Sequence, residues 1–168
     1  MSGYATAADL LLWYGARELA QCAVPDDLPA IGADLMRLTI AEGDRTPFTP
    51  EEIAAADAGL AAIQAALTDA ARLIDSYLAT RHTLPLAADL AESSGLSRVC
   101  GALARRFLHH DQTPEEVARG YDQALAWLRD VGQGRAELRP PAVATGAGLA
   151  AFDASARVFD QETLRGFA

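Results

Sequence analysis

The side chains best equipped for chemistry are few in this chain, and their spacing argues against a catalytic centre. Two of its three histidines adjoin, in the run His109-His110-Asp111. Neighbouring residues on a helix point about 100° apart, so such a run cannot close around one ion. These imidazoles read instead as groups at a helix C-terminus, where the helix dipole favours positive charge. His82 stands apart in a loop. Cys22 and Cys100 are distant in sequence and lie among apolar neighbours, which suits buried reduced thiols rather than a disulfide or zinc framework. No H-E-x-x-H, C-x-x-C, G-x-x-x-x-G-K-[ST] or G-x-S-x-G pattern occurs, and Ser93-Ser94-Gly95 fits a helix cap or turn. The cluster Arg98, Arg105 and Arg106 has the charge to hold a phosphate. In an acidic chain, salt bridges to a neighbouring carboxylate are the simpler use of it. Trp13, Tyr14 and Trp127 read as core or subunit-contact residues. No catalytic residue, cofactor or metal ligand is assigned, and a non-enzymatic protein is expected.

Composition narrows the class further. Of 168 residues, 51% are hydrophobic, with alanine the largest share and aromatics only 7%, a balance that favours closely packed helices. A chain of this length buries roughly 68–70% of its unfolded surface and needs no cross-link to hold a core. The net charge is −9, and all 14 basic residues are arginine. Affinity for nucleic acid comes largely from Lys and Arg neutralising phosphates, so this balance argues against gripping DNA. It suits a surface past which DNA slides without sticking. No stretch approaches the ~20 apolar residues of a membrane span. The opening Met1-Ser-Gly-Tyr-Ala-Thr lacks the regions of a signal peptide, so the expected site of synthesis is a reducing cytoplasm.

The elements that would position these residues are legible as helices. Thr6 with Asp9 opens a first short helix, Gly15 interrupts it, and a second runs through Arg17–Cys22 to Pro25. Residues 24–50, punctuated by five prolines and glycines before Pro50, form a projecting loop or a weak hairpin about Gly43-Asp44. Thr49-Pro50-Glu51-Glu52 is a capping box that starts the longest helix, expected to run to about Thr80. Its apolar face carries Ile53, Leu60, Ile63, Leu67, Ile74 and Tyr77. Another helix lies within Leu96–His110, with Val99, Leu103 and Phe107 as its stripe and Arg98, Arg105 and His109 sharing a face. Thr113-Pro114-Glu115-Glu116 repeats the capping box. It opens a last helix that buries Val117, Tyr121, Ala124, Leu125, Leu128 and Val131 and stops at Gly132 and Gly134.

After Leu138 the character changes. Pro140-Pro141 excludes helix, and Ala142–Ala151 is a small-residue linker. Apolar residues then return in Arg157-Val-Phe-Asp-Gln-Glu-Thr-Leu-Arg-Gly-Phe167. Anchors beyond a linker mark a segment that docks on a partner or, in the competing reading, folds back on its own domain. The expected organisation is an all-α bundle, residues 1–138, with one long central helix. Residues 139–168 add a linker and an extended arm. The arm's interaction residues are Arg157, Val158, Phe159, Leu164, Arg165 and Phe167.

Four segments, in order, carry a family likeness: Tyr4-Ala-Thr-Ala-Ala-Asp-Leu10; Leu73-Ile-Asp-Ser-Tyr-Leu-Ala-Thr-Arg81 with Leu84-Pro-Leu86; Tyr121 through Arg135; and Arg157-Val-Phe159 through Phe167. Together they resemble the neck protein family of Mu-like phages and prophages. The loop 24–50 is longer than the family pattern, and Ala87-Ala-Asp-Leu-Ala-Glu92 stands where that pattern places prolines. The loop's contacts and the start of the helix before Val99 therefore stay open. The resemblance implies a virion structural protein, similar to the head–tail connector (adaptor) proteins of long-tailed phages. It implies a homo-oligomeric ring, expected as a dodecamer, between a portal protein and a tail-side neck protein (stopper or tail terminator). DNA would pass through without sequence-specific binding, and no membrane is involved. The expected location is the virion neck, with the host cytoplasm during assembly. The competing reading is a small cytoplasmic helical module that binds or regulates a host protein.

Overall fold

In the computed structural model, residues 3–109 and 113–138 are described, and all regular structure among them is helical. The elements are α1 (Ala7–Ala23), α2 (Ala33–Ile40), α3 (Pro50–Leu78), α4 (Ala88–Ser93), α5 (Leu96–Leu108) and α6 (Glu115–Gly132). The all-α bundle with a long central helix is as expected from the sequence.

Local chemistry explains two of the starts. Thr6 Oγ1 accepts the Asp9 amide at 3.2 Å while Asp9 accepts the Thr6 amide at 2.8 Å. Thr49 and Glu52 make the same reciprocal pair, at 3.3 and 2.9 Å, at the head of α3. Each pair satisfies amides that a helix N-terminus leaves without intrahelical partners. Gly15, at φ +81°, divides α1 into two helical halves, the corner expected from its glycine. A side chain there would be strained by that backbone angle.

Helix α3 is the axis on which α1, α2, α5 and α6 all pack. Its Ile63, Ala70, Ile74 and Leu78 are fully buried, and Leu10, Leu19, Met36, Leu96, Leu103 and Leu128 close over them from the other helices. Leu138, the last described residue, is itself part of this core. Among the described residues no helix is long and apolar enough to cross a membrane.

Besides Tyr121 and Leu125 of α6, which are half-buried rather than buried, four details differ from the sequence reading. First, residues 24–50 are irregular only at their ends, and their centre is α2, not a hairpin. Leu35, Met36 and Thr39 are buried there against α1 and α3, because apolar residues at helical spacing gain more by packing on the core than by pairing as strands. Second, α4 precedes α5 as a separate short helix. Third, the buried face of α5 is Leu96, Cys100, Leu103, Ala104 and Leu108, which leaves Val99 and Phe107 half-buried at its margins. Fourth, no capping box forms at α6. Pro114 takes the cap position without a side-chain bond, and the Glu116 carboxylate is drawn across to Arg105.

Candidate interaction surface

Five residues singled out in the sequence, Trp13, Tyr14, Arg98, Arg105 and His109, converge on the seam between α1 and α5. Arg98, Arg105 and His109 share one face of α5, as their spacing requires, and that face meets α1 on both sides of the Gly15 corner. The Arg98 guanidinium lies 4.3 Å over the Trp13 ring, and that of Arg105 lies 4.6 Å over the Tyr14 ring. The two rings meet edge to face at 6.4 Å. Glu18, one turn beyond Tyr14, receives two hydrogen bonds from Arg105, and the second runs 2.9 Å from Nη2. The same Nη2 reaches Glu116 of α6 at 2.9 Å. His109 Nε2 stands 3.7 Å from Glu18. Arg106 turns back to the His109 carbonyl at 2.8 Å and so caps the end of α5.

A glycine makes the seam close enough to form. A Cβ at Gly101 would come within 2.5 Å of Trp13 Cζ3, so the indole lies flat on the α5 backbone at this point. Substitution there must displace a rigid ring rather than the end of a flexible chain.

These contacts settle the arginine cluster. Arg105 is held by two carboxylates and stacked on Tyr14; Arg106 serves its own helix; Arg98 alone is exposed, over Trp13. A phosphate would compete with Glu18 for a guanidinium already held in a charge-assisted, two-bond pair. The thiols are also accounted for. Burial pushes Cys22 up to about 11 and Cys100 up to about 12, so neither is a nucleophile at neutral pH. Tyr4 gives its hydroxyl to Asp75 on α3, and burial together with that bond keeps the phenol above its ordinary range. Among the described residues no three of His, Cys, Asp and Glu could hold a metal ion. His110 and Asp111 lie outside the described residues.

What remains is surface. On the outer side of α1, Leu12 is 80% exposed. On the other end of the seam, a cleft of about 570 Å³ opens between the α1 C-terminus, α3 and the end of α5. Ala23, Val24, Ala62 and Leu108 give it an apolar floor, and Glu18 and Asp26 stand at its edge. Sequence reasoning missed Glu18 and this cleft. The visible signal was a carboxylate one turn from Tyr14, but nothing in α1 itself says that Arg105 will be opposite. The arm residues Arg157, Val158, Phe159, Leu164, Arg165 and Phe167 lie outside the described residues.

The family profile described as Bacteriophage Mu, Gp36 matches residues 4–152, thus every helix described above. The chain belongs to the Bacteriophage Mu Gp36 family. It is 36% identical over 78 residues to the Mu-like prophage FluMu protein gp36 of Haemophilus influenzae, a stretch that covers 46% of this chain and 53% of that one. It is 35% identical over 77 residues to gene product J of Escherichia phage Mu, covering 46% and 52%. The chain thus spans about half the length of the curated relatives it matches. The Gp36 match stops at residue 152, short of the arm's anchors.

Proposed function

We propose that this Gp36-family chain is a structural virion protein, a head–tail connector subunit that forms a ring beneath the portal and extends the DNA channel toward the tail. The observation that carries the reading is membership of a phage Mu protein family across residues 4–152. Two physical features support it. The titratable side chains that cluster at the α1–α5 seam, Arg98, Arg105, Glu18 and Glu116, are engaged in ion pairs and ring contacts, which favours a packing role over a reaction centre there. The net charge of −9 gives passing DNA a wall that repels phosphate. In this reading the helices form the ring wall. The arm, with Arg157, Val158, Phe159, Leu164, Arg165 and Phe167, docks on the portal or a neighbouring subunit, and a tail-side neck protein closes the other end.

The test is co-purification with the portal protein of the same phage or prophage. The full chain is expected to bind the portal and form rings visible by electron microscopy, and deletion of Pro140–Ala168 is expected to abolish binding. A full chain that fails to associate with the portal would sink the connector reading. Unchanged association after the deletion would remove the arm from it.

A further inference from the structure

We propose that the cleft at the end of α1 is a parking site for the chain's own arm, entered by Arg157-Val158-Phe159 before any partner is bound. The idea rests on the reading of residues 139–168 as a docking arm. The arm contains the pattern Arg-x-Phe twice, at Arg157-Val158-Phe159 and Arg165-Gly166-Phe167. In extended chain, residues two apart project to the same side, so each pattern presents a guanidinium and an aromatic ring together. The cleft is the counterpart of that pair, with Val24, Ala62 and Leu108 as a floor for a ring and carboxylates at the rim. Glu18 is committed to Arg105, but Asp26, and Asp27 beside it, are exposed and have no ion-pair partner among the described residues. An aromatic anchor in an apolar recess with a charged rim is the usual form of a small docking site.

Chain length selects the occupant. Leu138 lies beside Arg81 and His82, just past the C-terminal end of α3. The cleft lies beside Ala62, 16 residues before Leu78 by the numbering, which is about 24 Å of helix. The 19 residues from Leu138 to Arg157 can reach at most roughly 63–68 Å, at 3.3–3.6 Å per residue, so the cleft lies within their span. A tethered segment that can reach its site acts at a high effective concentration, on the order of millimolar. At micromolar protein the chain's own arm therefore outcompetes that of a second copy. Parking would cover Phe159 until a partner that binds the arm more tightly draws it out.

Cys22 lines the cleft and supplies the reporter. Full-length Asp160→Cys protein, which keeps both Arg157 and Phe159, is purified without partners and treated with an oxidant at about pH 9, where the raised thiol of Cys22 begins to ionise. The expected product is a monomer of faster non-reducing mobility. Its free-thiol count falls from three to one, and it forms about tenfold faster than in the Ala151→Cys linker control. Adding Cys22→Ser should abolish it. Asp26→Arg with Asp27→Arg should slow it about fivefold, and Arg157→Asp on that background should restore the rate. Both acidic positions are exposed, and a matched thermal melt identifies any variant that has lost its fold. A disulfide-linked dimer would overturn the proposal in favour of a second copy's arm. A rate no faster than that of the Ala151→Cys control would show that nothing docks. Either result leaves portal binding by the arm standing, so this failure is distinct from failure of the connector reading.

Discussion

Gly101→Ala is the sharpest test of the seam, because helix propensity and packing predict opposite signs. In the interior of a helix, alanine is about 1 kcal/mol better than glycine. At Gly101 the new methyl would lie 2.5 Å from Trp13 Cζ3 and 2.8 Å from Cε3, well inside contact distance. Forcing a rigid ring out of a packed seam costs about 1–3 kcal/mol, and the displaced indole forfeits its contact with Arg98, worth about 0.5–1 kcal/mol at an exposed site. Subtracting the propensity gain leaves a net destabilisation of about 2 kcal/mol, or ~4–8 °C in Tm for a chain of this size. Gly120 provides the control within the same molecule. It lies inside α6, and a methyl added there would meet nothing within 4 Å, so Gly120→Ala is expected to stabilise by about 1 kcal/mol. Thermal and urea unfolding by circular dichroism would measure both variants, and Trp13 emission, read in a Trp127→Phe background, would shift to the red for Gly101→Ala alone. If Gly101→Ala stabilises the protein as Gly120→Ala does, with Trp13 emission unchanged, then the indole does not lie on α5 and the geometry of the seam is wrong.

Other consequences can be checked with the same methods. A double-mutant cycle on Glu18→Gln and Arg105→Gln should give a coupling of about 1–2 kcal/mol, because the pair is two-bonded and mostly shielded from water; a coupling near zero would mean the contact contributes nothing. Burial raises the thiols from 9.0 to about 11 at Cys22 and about 12 at Cys100, so the unfolded chain loses these protons before the folded one does. Their contribution is therefore complete below about pH 9 and declines as pH rises through 11 and 12, and Cys100→Ala should flatten that alkaline decline in urea midpoints. At the head of α3, the bonds from the Thr49 amide and hydroxyl hold the Glu52 carboxyl below its usual range. That cap is present above the ordinary carboxylate range and is lost as pH falls through the lowered value. Glu52→Gln should therefore reduce the acid sensitivity of helix content. Ile74→Ala, at a fully buried position of α3, should cost about 2–5 kcal/mol by the same melts.

The seam also shows how an acidic protein can use a cluster of arginines inside its own helical bundle. Arg105 meets two carboxylates and a ring from other helices, Arg98 lies exposed over Trp13, and Arg106 caps its own helix, so much of this charge is engaged within the bundle. The positive end of any DNA contact would have to come from elsewhere, and the surplus of carboxylates works against it.

What the sequence determined by itself was whatever depends on neighbours along the chain. Thr6 with Asp9 and Thr49 with Glu52 are three residues apart, within reach of one helical turn, so both caps were legible before any fold was known. The corner at Gly15, the length of α3 and the shared face of Arg98, Arg105 and His109 follow in the same way from periodicity. Thr113 and Glu116 have the same spacing, yet the box did not form: Pro114, at ψ 144°, takes the cap position, and the Glu116 carboxylate meets Arg105 from another helix. Only the tertiary structure could decide that contest, and the same holds for Glu18 opposite Arg105, for the indole on Gly101 and for α2 packed on the core. Each depends on which helix lies across the bundle, at separations such as the 87 residues between Glu18 and Arg105. Local pattern shows which faces of a helix are apolar or charged; the partner that each face meets is set by how α3 gathers the other helices around it.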